Sequence, residues 1–236
     1  MSYKLKLVRK EEICRDTYGL YFDKSNSHIH YIAGQFVTVT IPDLNAADGK
    51  GNERHFSIAN APHENSIEVI IRKSGSDFSN SILNLPIGVE LIFDAPRGEI
   101  HSKKISESNF IPVFIAGGTG ITPVRSILRD LNFKGMDKSI TLFYANRSIE
   151  TAVFLDEFME LSKEKNNFTF IPILEEETDR VKTEKGYFSE EIFKRYMSEI
   201  DKHAFFVTGP PMMLSEAIKV LVNSGVPDEK IFIENI

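Results

Sequence analysis

The spacing of apolar residues changes once along this 236-residue chain, near residue 105, and that change limits what it can fold into. Before it, "YKLKLVRKEEI" alternates polar and apolar residues, and "QFVTVTI", "IEVIIRKS" and "VELIFDAP" are rich in Val, Ile, Phe and Thr. Such short runs favour strands. Turn-forming residues separate them in "DKSNS", "DLNAADGKGN", "NAPHENS" and "PRGE". The pattern implies a small antiparallel barrel or sandwich. The 43–53 stretch carries Asn, Asp and Gly and few apolar residues, so it reads as a mobile surface loop. After the polar "HSKKISESNF" (101–110), apolar "IPVFIA", "ITLFYA", "FTFIPIL" and "AFFVTG" alternate with "PVRSILRDL", "TAVFLDEFMELSKEK" and "PPMMLSEAIKVLVNSG". The latter three have helical spacing, and the last ends at a plausible C′ glycine, Gly225. Apolar strands alternating with helices imply a parallel sheet covered on both faces. The expected domains are 1–104 and 105–236.

Composition narrows the function classes. No run approaches the roughly 20 apolar residues of a membrane span. The N-terminus has no continuous apolar core of a signal peptide, so a cytoplasmic location is expected. The single cysteine, Cys14, excludes an intramolecular disulfide, a four-cysteine zinc site and a self-contained iron–sulfur cluster. Net charge is −6 and no Lys/Arg cluster stands out, which argues against nucleic acid as a partner. "HIH" at 28–30 puts two imidazoles on one strand face, but no third ligand lies near, and no metal site is expected.

Three stretches carry the chemistry. "AGGTGITP" (116–123) follows an apolar strand and precedes a helix. Thr122 can cap that helix and Pro123 suits its first position. The first-turn N–H groups then form an anion site that fits a pyrophosphate, with Gly117, Gly118 and Gly120 admitting close approach. A tight turn without a ligand is equally open, because G-x-G-x-x-G is absent. "FFVTGPPMML" (205–214) is a second strand end running into a proline-started helix, and two such turns on one sheet edge can clasp one ligand. Met212 and Met213 read as core packing. "RHFS" (54–57) puts Arg54 and Phe56 on one side of a strand. An Arg can hold a phosphate and an aromatic ring can cover a planar ligand.

In this order and spacing, "RHFS", "GGTGITP" and "TGPPMM" resemble the ferredoxin–NADP reductase superfamily, and the resemblance covers almost the whole chain. It is closest to small members without fused haem or iron–sulfur domains. It implies a six-stranded antiparallel flavin-binding β-barrel (1–104), then a Rossmann-like α/β domain with a five-stranded parallel sheet that binds NAD(P) (105–236). It implies FAD in preference to FMN, and NADPH or NADH as substrate. Hydride would pass from nicotinamide to flavin, and electrons onward to a separate acceptor: a ferredoxin- or flavodoxin-like protein, an oxygenase component or a small molecule. The alternative is a non-catalytic or electron-transfer subunit that keeps the fold.

The resemblance also assigns roles. Arg54 would hold the flavin phosphate, with His55 beside it in the motif. Phe56 would lie against the isoalloxazine, and Ser57 would hydrogen-bond near the reacting nitrogen. Ile71, Arg72 and Lys73, with Phe78 and Ser79, would hold the ribityl–phosphate part. Gly117, Gly118, Thr119, Gly120, Thr122 and Pro123 would cradle the dinucleotide, Thr119 near the nicotinamide. Asn146 and Arg147 would face the adenosine end. Arg147 could meet a 2′-phosphate, which leans to NADPH, or simply be an exposed arginine at a strand end. Thr208, Gly209, Pro210 and Pro211 would flank the nicotinamide. Glu234 resembles a late acidic residue near the ring stack, so Ser57, Thr208 and Glu234 are the catalytic candidates. Phe56 stands where the family has Tyr, and Thr208 where it has Cys.

Overall fold

The computed structural model describes residues 2–25, 27–135 and 137–234. The described residues divide into two compact units: those within 2–103 and 122–134, and those within 104–121 and 135–234.

The first unit holds β1 (Ser2–Cys14), β2 (Thr17–Asp23), β3 (Phe36–Thr40), β4 (Glu53–Ser57), β5 (Ser66–Arg72), α1 (Asp77–Asn84) and β6 (Glu90–Asp94). Its sheet is six-stranded and antiparallel, in the order β4-β3-β6-β1-β2-β5. A bridge from Ile58 to Val69 joins the two ends, so the sheet closes as the expected barrel. β1 is long enough to serve two neighbours. Its first residues pair with β6, and breaks in register near Leu7–Arg9 and Glu12–Cys14 let it bend along β2. Alternation buries Leu5 and Leu7 inside. Phe22 and Phe93 meet edge to face there, ring centroids 4.8 Å apart.

The 101–110 stretch, too short and polar to show a period, forms α2 (Ser102–Ser106). β7 (Ile111–Gly117) then leads through a 3₁₀ turn at Gly118–Gly120 into α3 (Ile121–Phe133). The following elements are β8 (Ile140–Asn146), α4 (Leu155–Glu164), β9 (Phe168–Leu174), β10 (Glu184–Lys185), α5 (Glu190–Tyr196), β11 (His203–Thr208), α6 (Pro211–Asn223) and β12 (Ile231–Glu234). The second sheet is parallel, in the order β10-β9-β8-β7-β11-β12. It has six strands where five are expected. The extra one, β10, is two residues long and sits at an edge beside β9, so no hydrophobic pattern could reveal it. α6 ends as its sequence implies, with Gly225 at φ +86°.

After Ile121, α3 packs in the first unit through polar contacts as well as its apolar face. Arg125 and Glu68 form a buried ion pair at 2.7 Å, and Arg125 also reaches the Ala59 carbonyl at 3.3 Å. Ser126 donates to the Asn60 carbonyl at 2.7 Å. Gly34, at φ +102°, is required here: a Cβ would meet the Ile100 carbonyl oxygen at 2.4 Å.

Candidate functional site

In the second unit, the turns after β7 and β11 touch, and their glycines have different reasons. A Cβ on Gly120 would sit 2.6 Å from Gly209 Cα and N, and one on Gly117 would sit 2.4 Å from Met213 Sδ. Gly120 is required by the packing of backbone on backbone, whereas Gly117 is pressed only by the movable end of the Met213 side chain. Gly118 is different: it has φ +53° and nothing within 4 Å of its missing Cβ. It is therefore the open glycine of the turn, and a ligand can approach the backbone there. The Tyr144 hydroxyl, on buried β8, lies 3.1 Å from the carbonyl oxygens of both Gly118 and Val153, which fixes the turn from below. Thr119 is exposed on this turn. α3 starts at Ile121, so Thr122 lies inside its first turn instead of ahead of it, and Pro123 follows in the same turn, where its missing N–H leaves no bond unmade.

Thr208 is buried, and its hydroxyl donates to the Gly120 carbonyl at 2.7 Å, tying the two turns. A thiol at this place would be a weaker donor. In the sheet Thr208 lies between Ala116 and Glu234, so two of the three catalytic candidates are direct neighbours. Pro210 precedes α6 with φ −61° and Pro211 is its first residue. Met213 packs against the core beneath Gly117, but Met212 is 84% exposed, which corrects the expectation that both methionines are core.

Asn146 and Arg147 end β8 and begin the following loop, ordered by the Ser148–Thr151 capping box. Among the described residues the buried Asn146 amide nitrogen has no hydrogen-bond partner, which leaves it able to donate to a ligand. The exposed Arg147 is paired with Glu176 at 3.1 Å. The acidic run Glu175–Glu176–Glu177 was not singled out in the sequence, because only the parallel pairing of β8 with β9 brings it beside Arg147.

In the first unit, β4 sets Arg54 and Phe56 on one face, as its alternation predicts. The Arg54 guanidinium lies over the Phe78 ring, 5.0 Å from its centroid, and Phe56 lies 6.0 Å from that ring. Arg54 Nη1 donates to the carbonyls of Glu53 (2.6 Å), Lys50 (2.7 Å) and Gly51 (3.3 Å). Its Nη2 is buried with no hydrogen-bond partner among the described residues. Ser57 ends β4 opposite Phe36. His55 points the other way, is exposed, and lies 3.4 Å from Arg97, which pairs with Asp94. Ile71 is buried in β5, while Arg72 and Lys73 are exposed. The Lys73 N–H is already taken by the Asp16 carbonyl at 2.7 Å, so it is not available as a backbone donor. α1 opens at the N-cap Ser76, whose oxygen accepts from the Ser79 N–H. Phe78 and Ser79 are buried at its first turn.

An arginine with an orphaned nitrogen, a ring beside it and a helix N-terminus fit a flavin carrying phosphate. An open glycine in a strand-to-helix turn fits a dinucleotide. Residues 4–102 match the oxidoreductase FAD-binding domain family and residues 114–219 the oxidoreductase NAD-binding domain family. A probable flavin reductase of Aliivibrio fischeri is 32% identical over 203 residues, spanning 84% of this chain and 81% of that protein. The chain belongs to the ferredoxin–NADP reductase superfamily.

Other members of the superfamily resemble it at lower identity. The reductase component of propane 2-monooxygenase from Mycolicibacterium goodii is 28% identical over 211 residues, covering 86% of this chain; the chain spans only 58% of that relative's length. A ferredoxin NADP+ reductase from Neisseria gonorrhoeae, solved with FAD and NADP, shares the fold at TM-score 0.81 and 18% identity, covering 99% of this chain and 98% of that one. Among the described residues no helix is long and apolar enough to cross a membrane.

Proposed function

We propose that the protein is an NAD(P)H-dependent flavin-containing reductase that passes electrons to a separate acceptor. The observation that carries this reading is Arg54: one nitrogen is buried without a partner beside the ring of Phe78 and the first turn of α1, where a flavin phosphate would complete it. The bound flavin supplies the chemistry, since it accepts hydride from reduced nicotinamide and can release electrons singly.

The chain's residues bind and orient. Arg54 neutralises the flavin's phosphate, Phe56 lies against its ring system and Ser57 hydrogen-bonds to it. Phe78 and Ser79 fix the start of α1. Gly118 admits the dinucleotide pyrophosphate to the first turn of α3, and Thr119 reaches the nicotinamide end. Thr208 holds the two turns in register, and Glu234 supplies a carboxylate beside it. Asn146 donates to the adenosine part. In this functional sense residues 1–104 form the FAD-binding domain and 105–236 the NAD(P)-binding domain.

Arg147 as a partner for a 2′-phosphate leans to NADPH, but its pairing with Glu176 reverses that lean and favours NADH. With Glu177 paired to Lys185, it is Glu175 and Glu176 that oppose a 2′-phosphate beside Arg147 and can accept hydrogen bonds from a ribose diol. The acceptor is an oxygenase component, a small redox protein or free flavin, by analogy with the relatives above. The test is anaerobic stopped flow: purified protein is loaded with FAD, mixed with NADH or NADPH, then offered each acceptor class. The expected result is bleaching of the flavin absorbance, faster with NADH. Protein that binds no added FAD refutes the proposal, and FAD that binds but is not bleached supports the non-catalytic alternative.

A further inference from the structure

The loop before β4, read as mobile from its composition, is bonded onto the flavin-phosphate end of the barrel. Its base is closed by the Ile41 N–H on the Asn52 carbonyl at 2.9 Å, and Leu44 packs against the barrel core. Its tip reaches α1. Asp48 Oδ2 accepts from the Asp77 N–H at 3.2 Å, and the Asp48 N–H donates to Asp77 Oδ2 at 2.9 Å. The first N–H of α1 is therefore already answered by a carboxylate of the chain itself. The same loop holds Arg54, through the carbonyls of Lys50 and Gly51. One strap thus answers the helix N–H and steadies Arg54 through Nη1, leaving Nη2 for the phosphate.

We propose that Asp48 competes with the flavin's phosphate for the α1 N-terminus, so that flavin binding displaces the strap and the flavin is held exchangeably. This rests on the flavin site proposed above. An anion at a helix N-terminus is favoured by the helix dipole, but the Asp48 and Asp77 carboxylates already share this one, so a phosphate meets their repulsion and must displace Asp48 from the Asp77 N–H to take its place. The strap is built to move: Gly49 (φ +69°) and Gly51 (φ +74°) flank Lys50 with open space around both. Asp48, Lys50 and both glycines are exposed, so lifting the tip uncovers no core. A flavin without phosphate has no quarrel with Asp48, which makes the effect selective.

The experiment measures dissociation constants of FAD, FMN and riboflavin by flavin fluorescence, and of inorganic pyrophosphate by calorimetry, for the wild type, Asp48→Ala and Asp48→Asn. Asp48→Ala is expected to tighten FAD, FMN and pyrophosphate about threefold to fivefold, the scale of one carboxylate at a helix N-terminus. Riboflavin is expected to be unchanged. Asp48→Asn keeps an acceptor for the Asp77 N–H without the charge, so it separates repulsion from loss of the cap. Tightening by both variants supports the proposal. Unchanged or weaker binding of the phosphate-bearing ligands in Asp48→Asn overturns it and leaves Asp48 as a cap. Limited trypsin cleavage after Lys50 gives a second readout: it is expected to speed up on adding FAD or pyrophosphate, and an unchanged or slower rate overturns the displacement. If no flavin binds any variant, the proposed function fails, while pyrophosphate still decides the competition.

Discussion

Replacing the three turn glycines one at a time separates packing from ligand binding. In Gly120→Ala the new Cβ meets backbone atoms of Thr208 and Gly209 at 2.6–2.7 Å, against ordinary contacts of 3.4–4 Å. Backbone cannot swing aside, so the two turns must separate by several tenths of an ångström, which stretches the 2.7 Å Thr208–Gly120 hydrogen bond. Overpacking of this kind costs about 1–3 kcal/mol, and the weakened bond adds about 1. The sum, about 2–4 kcal/mol, is a large share of a domain stability of about 5–15 kcal/mol. Gly117→Ala meets only the end of the flexible Met213 side chain, so its cost is lower, about 1 kcal/mol. Gly118→Ala meets nothing, and its φ of +53° is a left-handed conformation costing about 1–2 kcal/mol. Urea midpoints followed by circular dichroism should fall in Gly120→Ala far more than in Gly117→Ala. NADH affinity by equilibrium dialysis should fall in Gly118→Ala beyond what its midpoint explains, because its Cβ occupies the space left for the ligand. A wild-type midpoint for Gly120→Ala refutes the packing argument, and unchanged NADH affinity in Gly118→Ala refutes the cradle.

The remaining predictions concern charge. Glu68→Ala removes the carboxylate that neutralises the buried Arg125 and should lower stability by about 3–5 kcal/mol, whereas Glu68→Leu combined with Arg125→Met should recover most of the loss in a thermal melt. Glu176→Ala frees Arg147 and should lower the KM for NADPH relative to that for NADH severalfold; steady-state kinetics with an unchanged ratio reject the role given to this pair. Burial pushes the Asp94 carboxyl up, but the Thr38 N–H and Arg97 outweigh it and hold its pKa below the usual value. A depressed carboxylate stabilises fully above the unfolded pKa of about 4, and that contribution is lost as pH falls through the folded value. Asp94→Asn should therefore be less stable than the wild type at pH 7 and lose less between about pH 5 and pH 3, as read from melting temperatures across that range.

Local patterns settled a large part of this protein. Alternation in β1 and β4, continuous apolar runs in β7, β8, β9 and β11, and proline-started α6 are visible residue by residue, because each depends on near neighbours in the chain. The "RHFS", "GGTGITP" and "TGPPMM" stretches named the family on the same footing. Short or polar elements were not legible: α2, α5 and the two-residue β10 have too few residues to show a period. What the glycines do was also hidden. "AGGTGITP" reads as three equivalent glycines, and only the approach of the β11 turn makes Gly117 and Gly120 packing residues and leaves Gly118 open. In the same way Arg147 acquires Glu176 through the pairing of β8 with β9, and Asp48 acquires the α1 N-terminus through the fold of its loop. Sequence fixes which groups a residue carries and how its near neighbours are spaced. Tertiary structure decides which distant groups share a few ångströms, and at that range hydrogen bonds, repulsion and packing determine what each residue can do.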